Sequence, residues 1–413
     1  MLMGVGLFNI FNLLYHLFML RVLSPVEYGH LNSLLALLMI LSVPASTLQT
    51  TLTKFISSFQ GRKQYHQVRG LLRHFLLWVS ISACFIVSLI LIGRASLSSF
   101  LQVPSMDAII LLGIILLFAL VIPVPWGGLQ GLQKFGLLSL HLVLNGGLKL
   151  LLGMLFVLLG LGISGAMGAI ALSYFISFFL SLWMLWKGLP SGETVIQTEP
   201  GSEKDRPFPV SEVYRFFLPA GMTLLCFMTL TSADLILVKH FFTPIEAGYY
   251  SIAQMVGKII LFLPLPVVMV MFPKLSAIGD RKEKIPPVLK QSLLISSCLC
   301  GGATAFCFVF PSEIIRLLSG GIYIECIPLV RLFSVNMTFF SLTFVLLYYH
   351  LSTRERGFLY PLLFFTLAQI GLIILFHNTL KQVLFVAGAH AFFLFGINIY
   401  GVYVRPRKID QYE

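Results

Sequence analysis

The sequence predicts an all-α membrane protein of about twelve transmembrane helices in two parallel six-helix repeats. Composition comes first: of 413 residues, 58% are hydrophobic and only 11% charged, with a mean hydropathy of +0.93. That is more apolar surface than a water-soluble core can enclose. Second, apolar runs of about 20 residues recur along the whole length, and each could cross roughly 30 Å of hydrocarbon at a rise of about 1.5 Å per residue. Third, the stretch "SPVEYG" at residues 24–29 returns as "TPIEAG" at residues 243–248, 219 positions later.

The twelve runs cover 1–20, 28–50, 75–93, 108–126, 137–160, 164–187, 213–238, 248–272, 289–311, 326–347, 358–377 and 383–404. The first already contains residue 1, so a cleavable basic leader is not expected and this run is expected to be kept as an anchor. The second and eighth open behind the repeated stretch. Ser24 or Thr243 can cap a helix, Pro25 or Pro244 suits its first position, and Glu27 or Glu246 can reach back to complete a capping box. Both copies therefore read as helix starts, and the two glutamates as capping groups rather than proton carriers.

The correspondence continues beyond them. "TKFISSFQGRK" ends the second run and "FPKLSAIGDRK" the eighth; "LLRHFLLWVSIS" and "LKQSLLISSC" then follow roughly in register. A duplicated unit of six helices begins each copy on the same side of the membrane, which makes the copies parallel repeats about an axis along the membrane normal. The predicted domains are residues 1–200 and 201–413. "GLPSGETVIQTEPGSEKDRPFPVSE" at 188–212, rich in Pro, Gly and charge, reads as a cytoplasmic linker between them.

The formal charge of +12 raises a nucleic-acid reading, and its placement argues against one. With alternate loops assigned from an inside N-terminus, 20 of the 28 Lys and Arg fall on the side that holds both termini, whereas Arg21, Arg94, Lys239, Arg316 and Lys381 lie opposite. This is the asymmetry of a protein with both termini cytoplasmic. The cysteines, Cys84, Cys226, Cys298, Cys300, Cys307 and Cys326, lack His or acidic neighbours at metal-ligand spacing and read as small buried hydrophobes.

A charge near mid-membrane costs at least roughly 2.5–3.5 kcal/mol on insertion scales, so a retained one marks a wet cavity or a partner. Lys149 lies near mid-depth of the fifth run, with His141 and Asn145 above it on one face at i, i+4, i+8. Ser251, Gln254 and Lys258 form a second polar stripe in the eighth. Arg331 leads a third with Ser334 and Thr338, close enough to the outer end to snorkel or to face a cavity. Asp234, near the outer end of the seventh run, reads either as an ion-coupling group or as an ion-pair partner of Lys258. Asn9, Asn12 and His16 suggest hydrogen bonds within a bundle, and His390 a packing residue. Pro44 and Pro264 correspond within one residue under the 219-residue shift, and both interrupt helical hydrogen bonding; they are candidate hinges or shape the bundle.

The string "FFLPAGMTLLCFMTLTSADLILVKHFFTPIEAGYYSIAQMVGKI" followed by "FPKLS", together with "RVLSPVEYGHLNSLLALLMIL", resembles the polysaccharide-biosynthesis flippases of the multidrug/oligosaccharidyl-lipid/polysaccharide exporter superfamily, over nearly the whole chain. The resemblance implies two bundles around a central cavity and movement of polyprenyl-pyrophosphate-linked oligosaccharide across the cytoplasmic membrane for cell-surface polysaccharide synthesis. It implies a transporter rather than an enzyme, with no cofactor. Its partners would be the lipid-linked oligosaccharide, membrane lipids, and a glycan polymerase and glycosyltransferases, with no nucleic acid. On that reading Lys149, Lys258, Arg331, Asn145 and Gln254 bind substrate, their cations offsetting the pyrophosphate. A cation-coupled multidrug exporter of the same superfamily should instead prefer acidic cavity residues. A membrane glycosyltransferase or polymerase would need catalytic groups on a substantial outer loop, and the outer loops are short. No nucleotide-binding loop, HExxH or Ser/His/Asp arrangement is present.

Overall fold

The computed structural model describes residues 2–62, 64–189, 210–278, 287–321, 323–352 and 357–403, and among these there are helices but no strands. The helices are α1 (Leu2–Val22), α2 (Pro25–Leu41), α3 (Val43–Gly61), α4 (Tyr65–Ile92), α5 (Arg94–Leu101), α6 (Met106–Val121), α7 (Pro123–Gly131), α8 (Phe135–Phe156) and α9 (Gly162–Gly188). They continue as α10 (Val210–Leu230), α11 (Ala233–Phe241), α12 (Pro244–Phe262), α13 (Leu265–Ile278), α14 (Pro287–Val309), α15 (Pro311–Ser319), α16 (Cys326–Ser352), α17 (Leu359–Leu375) and α18 (Leu380–Tyr403). Each of the twelve predicted runs falls on one of these helices or on a consecutive pair. The short α5 and α15, which the hydropathy pattern did not single out, occupy equivalent places after the third and ninth runs.

The repeated stretch folds as its residues dictate. Ser24 caps α2 and Thr243 caps α12, each with a full capping box in which the glutamate side chain returns to the cap residue's backbone N–H. The reversal between α8 and α9 uses Gly160 at φ 84° and Gly162 at φ 50°, left-handed values that a residue with a Cβ resists.

The chain forms two compact units, Met1–Gly221 and Met222–Glu413, whose boundary falls within α10. Residues 190–209, most of the expected linker, lie outside the described residues, as do the basic residues at 281–284 and 405–408. In the first unit α8 packs against both α1 and α9, and α6 against α4 and α9. A core of Leu52, Ile56, Leu71, Phe75, Leu129 and Leu185 ties α3, α4, α7 and α9 together. Ser139, Gly146 and Gly153 recur every seven residues along α8 and receive α1: a Cβ on Gly153 would stand 2.6 Å from Tyr15 Cε2, and one on Gly146 3.1 Å from Phe8 Cδ2. Small residues at such spacing let two backbones approach where lipid provides no hydrophobic drive between helices. In the second unit α16 is the central helix, with α12, α14 and α18 packed around it.

Several spans are broken. The pair α2–α3 bends by 41° just before Pro44, and α12 ends one residue before Leu263 and Pro264, so both candidate hinges lie at helix interruptions. Proline lacks the N–H that would bond the carbonyl four residues back. At the second break that carbonyl is Ile260 O, which accepts instead from Leu263 N–H at 3.2 Å, and α14 and α16 cover the site. Ser341 Oγ donates to Leu261 O at 3.0 Å and lies 3.4 Å from Ile260 O, which Cys300 Sγ also approaches at 3.7 Å. The break at Thr231 and Ser232, between α10 and α11, is covered by α17, whose Gln369 Nε2 donates to Leu230 O at 2.8 Å.

The cysteines need one correction. Cys226, Cys300, Cys307 and Cys326 are buried, whereas Cys84 and Cys298 are exposed on apolar helices. A thiol is apolar enough to stand on a surface that lipid covers.

Replacing Gly153 by Leu drives a side chain into Tyr15 and is expected to destabilise the purified protein by about 1–3 kcal/mol. Gly136→Leu on the same helix, where a Cβ meets open space, leaves the thermal midpoint unchanged.

Candidate functional site

Apart from Arg331, the sequence-predicted binding residues fall into two clusters, one in each unit. In the first, α8 brings His141, Asn145 and Lys149 down one buried face. Lys149, 8% exposed, donates from Nζ to Asn12 Oδ1 of α1 at 2.8 Å and lies 4.3 Å from the centre of the Tyr15 ring. Asn12 is fixed for this role because its Nδ2 donates to Phe8 O at 2.9 Å, leaving the amide oxygen free to accept. Tyr15 is held in turn by donation from its hydroxyl to Ala166 O of α9 at 3.0 Å. The ammonium therefore has an oxygen on one side and the negative face of an aromatic ring on the other, a cation–π arrangement.

One turn along, Asn145 Nδ2 donates to Ser177 Oγ of α9. His141 bridges α7 and α9: Trp126 Nε1 donates to its Nδ1 at 3.1 Å, and its Nε2 lies 2.8 Å from Ser177 O. An indole N–H can only donate, so Nδ1 accepts and the ring proton sits on Nε2, which donates to the Ser177 carbonyl. Four helices are thus joined through one polar seam.

In the second unit Asp234, in the first turn of α11, is 1% exposed. It accepts from Tyr250 Oη at 2.7 Å and from Gln254 Nε2 at 3.1 Å, both on α12. The helix start adds favourable partial positive charge to a carboxylate placed there. Lys258, one turn beyond Gln254, is half-buried, and the Asp234 oxygens are taken by Tyr250 and Gln254 rather than by its ammonium. Helical spacing in the sequence placed Ser251, Gln254 and Lys258 on one face, and Tyr250, a full turn before Gln254, joins Gln254 on Asp234 because α11 packs there.

Arg331 is exposed and separate from both clusters. Its Nη2 donates to Phe308 O at 3.1 Å, one of the last carbonyls of α14 that lack a helical partner, and the guanidinium stands 5.9 Å from the Phe308 ring. Lys239, assigned to an outer loop by the sequence pattern, is fully buried in α11, and its Nζ has no hydrogen-bond partner among the described residues. His390 packs edge-on against Phe365 and approaches Val386 O with Nδ1 at 2.7 Å, as a packing residue does. Among the described residues no group of three His, Cys, Asp or Glu is arranged to hold a metal ion.

Comparison with known proteins adds three findings. A family model described as "Polysaccharide biosynthesis protein" matches residues 18–328. No curated protein matches the chain. Among solved structures, a multidrug resistance MATE family transporter of the MOP superfamily in its inward-facing conformation aligns with a TM-score of 0.76 at 17% identity, over 96% of this chain and 94% of that one. The lipid II flippase MurJ, inward closed, aligns with a TM-score of 0.73 at 12% identity, over 97% of this chain and 86% of that one. A MOP superfamily transporter from Pyrococcus furiosus, described as having a binding pocket of reverse polarity, aligns with a TM-score of 0.58 at 16% identity, over 97% and 93%. At these identities the structural likeness establishes the two-repeat membrane fold.

The Lys149 contacts predict a coupling that thermal unfolding of the purified protein measures. Asn12→Leu strands the ammonium and lowers stability by about 1–3 kcal/mol. Lys149→Met alone costs less, and the double variant recovers most of the loss.

Proposed function

Because the chain belongs to the polysaccharide biosynthesis protein family, a family of multi-pass membrane flippases and transporters, we propose that it moves a polyprenyl-pyrophosphate-linked oligosaccharide across the cytoplasmic membrane. Movement would proceed by alternating access between the two repeats. The glycan would serve cell-surface polysaccharide synthesis, and a polymerase and glycosyltransferases would act before or after transport. Both termini are assigned to the cytoplasm from the 20 of 28 basic residues on that side.

The observation that carries this reading is a lysine on a polar helical face in each unit, Lys149 and Lys258, neither of them hydrogen-bonded to a carboxylate among the described residues, with Asp234 near enough to Lys258 to offset part of its charge. A pyrophosphate bears about two negative charges, and a single opposite charge at about 4 Å contributes roughly 4 kcal/mol at an effective dielectric of 20. An ammonium resting on Asn12 and Tyr15 keeps its positive charge uncompensated and available to an anion. Arg331 is a weaker candidate, since its guanidinium is engaged with the last turn of α14.

A second reading rests on Asp234. A buried carboxylate bound by a phenol and an amide can exchange a proton or a small cation, which suits the ion-coupling half of a transport cycle. In a drug exporter the same group would receive cationic cargo. Lys258 one turn beyond Gln254 disfavours that cargo and is compatible with coupling.

Complementation of surface-polysaccharide production, with membrane abundance measured alongside, tests the assignment. Lys149→Ala and Lys258→Ala should accumulate normally and export little, while the arginine replacements retain part of the activity, incompletely because the guanidinium is larger and forked. Normal export by both alanine variants would remove these lysines from the substrate path.

A further inference from the structure

A groove of about 600 Å³ runs between α14 and α18. Both helices pack on α16, which leaves space between their outer faces. Its walls are Leu294 and Ser297 of α14 and Phe395 and Ile399 of α18, with Lys290 and Gln291 at the end where α14 begins and α18 finishes. Lys290, Leu294 and Ser297 are exposed, and Phe395 and Ile399 half-buried, so the groove opens on the face that lipid covers.

Two features select an occupant. The α14 wall extends from Pro287 to Ser297, ten steps of about 1.5 Å, which is about half of the roughly 30 Å hydrocarbon thickness. That length suits one acyl chain of one leaflet and is far shorter than a polyprenyl chain. Among the described residues the one charge in the lining is the cation of Lys290, at the headgroup end. Basic groups between membrane helices at that level recruit anionic lipid.

We propose that the groove between α14 and α18 holds one anionic glycerophospholipid of the leaflet at the α18 C-terminal end. Its phosphate sits at Lys290 and one acyl chain lies along Leu294, Phe395 and Ile399. The site lies within the second unit and does not depend on the cargo assigned above.

Native mass spectrometry of the purified full chain tests this, with phosphatidylglycerol and phosphatidylcholine of identical acyl chains as probes. The wild type should retain one phosphatidylglycerol with about fivefold preference over phosphatidylcholine. Lys290→Gln, at an exposed position, should lose the preference while keeping the lipid-free thermal midpoint. Leu294→Trp, which fills the groove from an exposed position, should retain neither lipid there. Equal retention of both lipids by the wild type, an undiminished preference in Lys290→Gln, or undiminished retention in Leu294→Trp would overturn the proposal. So would displacement of phosphatidylglycerol by an equal concentration of polyprenyl phosphate, which would make the groove a cargo site.

Discussion

Where α12 stops before Pro264, the carbonyl of Leu261 loses its helical partner inside a hydrocarbon layer that offers none, that of Ile260 keeps a tight-turn bond from Leu263 N–H at 3.2 Å, and the hydroxyl of Ser341 on α16 turns toward both. Much of the structure follows from that requirement. A span can break within the membrane only where another helix satisfies the freed groups, and Gln369 of α17 does the same for Leu230 at the break before α11. The central position of α16 in its unit is therefore chemical as well as steric. Beside its large apolar residues it carries buried Ser334, Asn336, Ser341 and Thr343; Asn336 donates to Leu384 O of α18, and Thr338 pairs with Thr304 of α14.

The breaks also set where charge can be kept. Asp234 lies just past the interruption at Thr231 and Ser232, so it begins a new helix whose unsatisfied N–H groups favour a carboxylate. Lys258 lies about one turn before α12 ends at Phe262. Lys149 follows a different logic. It sits in an unbroken helix and depends on close approach of α1, which Gly146 and Gly153 permit, to bring Asn12 and Tyr15 within reach. Close packing of small residues thus places a cation where hydropathy alone would forbid it.

Local chemistry was legible in the sequence and neighbouring helices were not. The capping boxes at Ser24 and Thr243 involve residues three apart and fold as their spacing implies. The twelve apolar runs each occupy helix because length and hydropathy suffice to specify a span. Periodicity placed His141, Asn145 and Lys149 on one face and marked Asn12 for a hydrogen bond within the bundle, but it carries no information about what each face meets, so the pairing of Asn12 with Lys149 and the parts played by Tyr15, Trp126 and Ser177 emerged only from packing. Arg331 was ambiguous because its depth allowed either fate, and the orphaned carbonyl of Phe308 decided its conformation. Lys239 was misplaced because charge counts treat a lysine near a span's end as loop, whereas α11 carries it into the unit's interior.

The α12 break is sustained by side chains from its neighbours. A double-mutant cycle between Ser341→Val and Pro264→Ala, read by thermal unfolding of the purified protein, tests it most directly. Removing the hydroxyl should cost about 1 kcal/mol in the native sequence. With alanine at 264 the helix can run on, so that backbone N–H groups reach Ile260 O and, from Leu265, Leu261 O, and the cost of losing the hydroxyl should fall by at least half. An equal cost in both backgrounds would contradict the account.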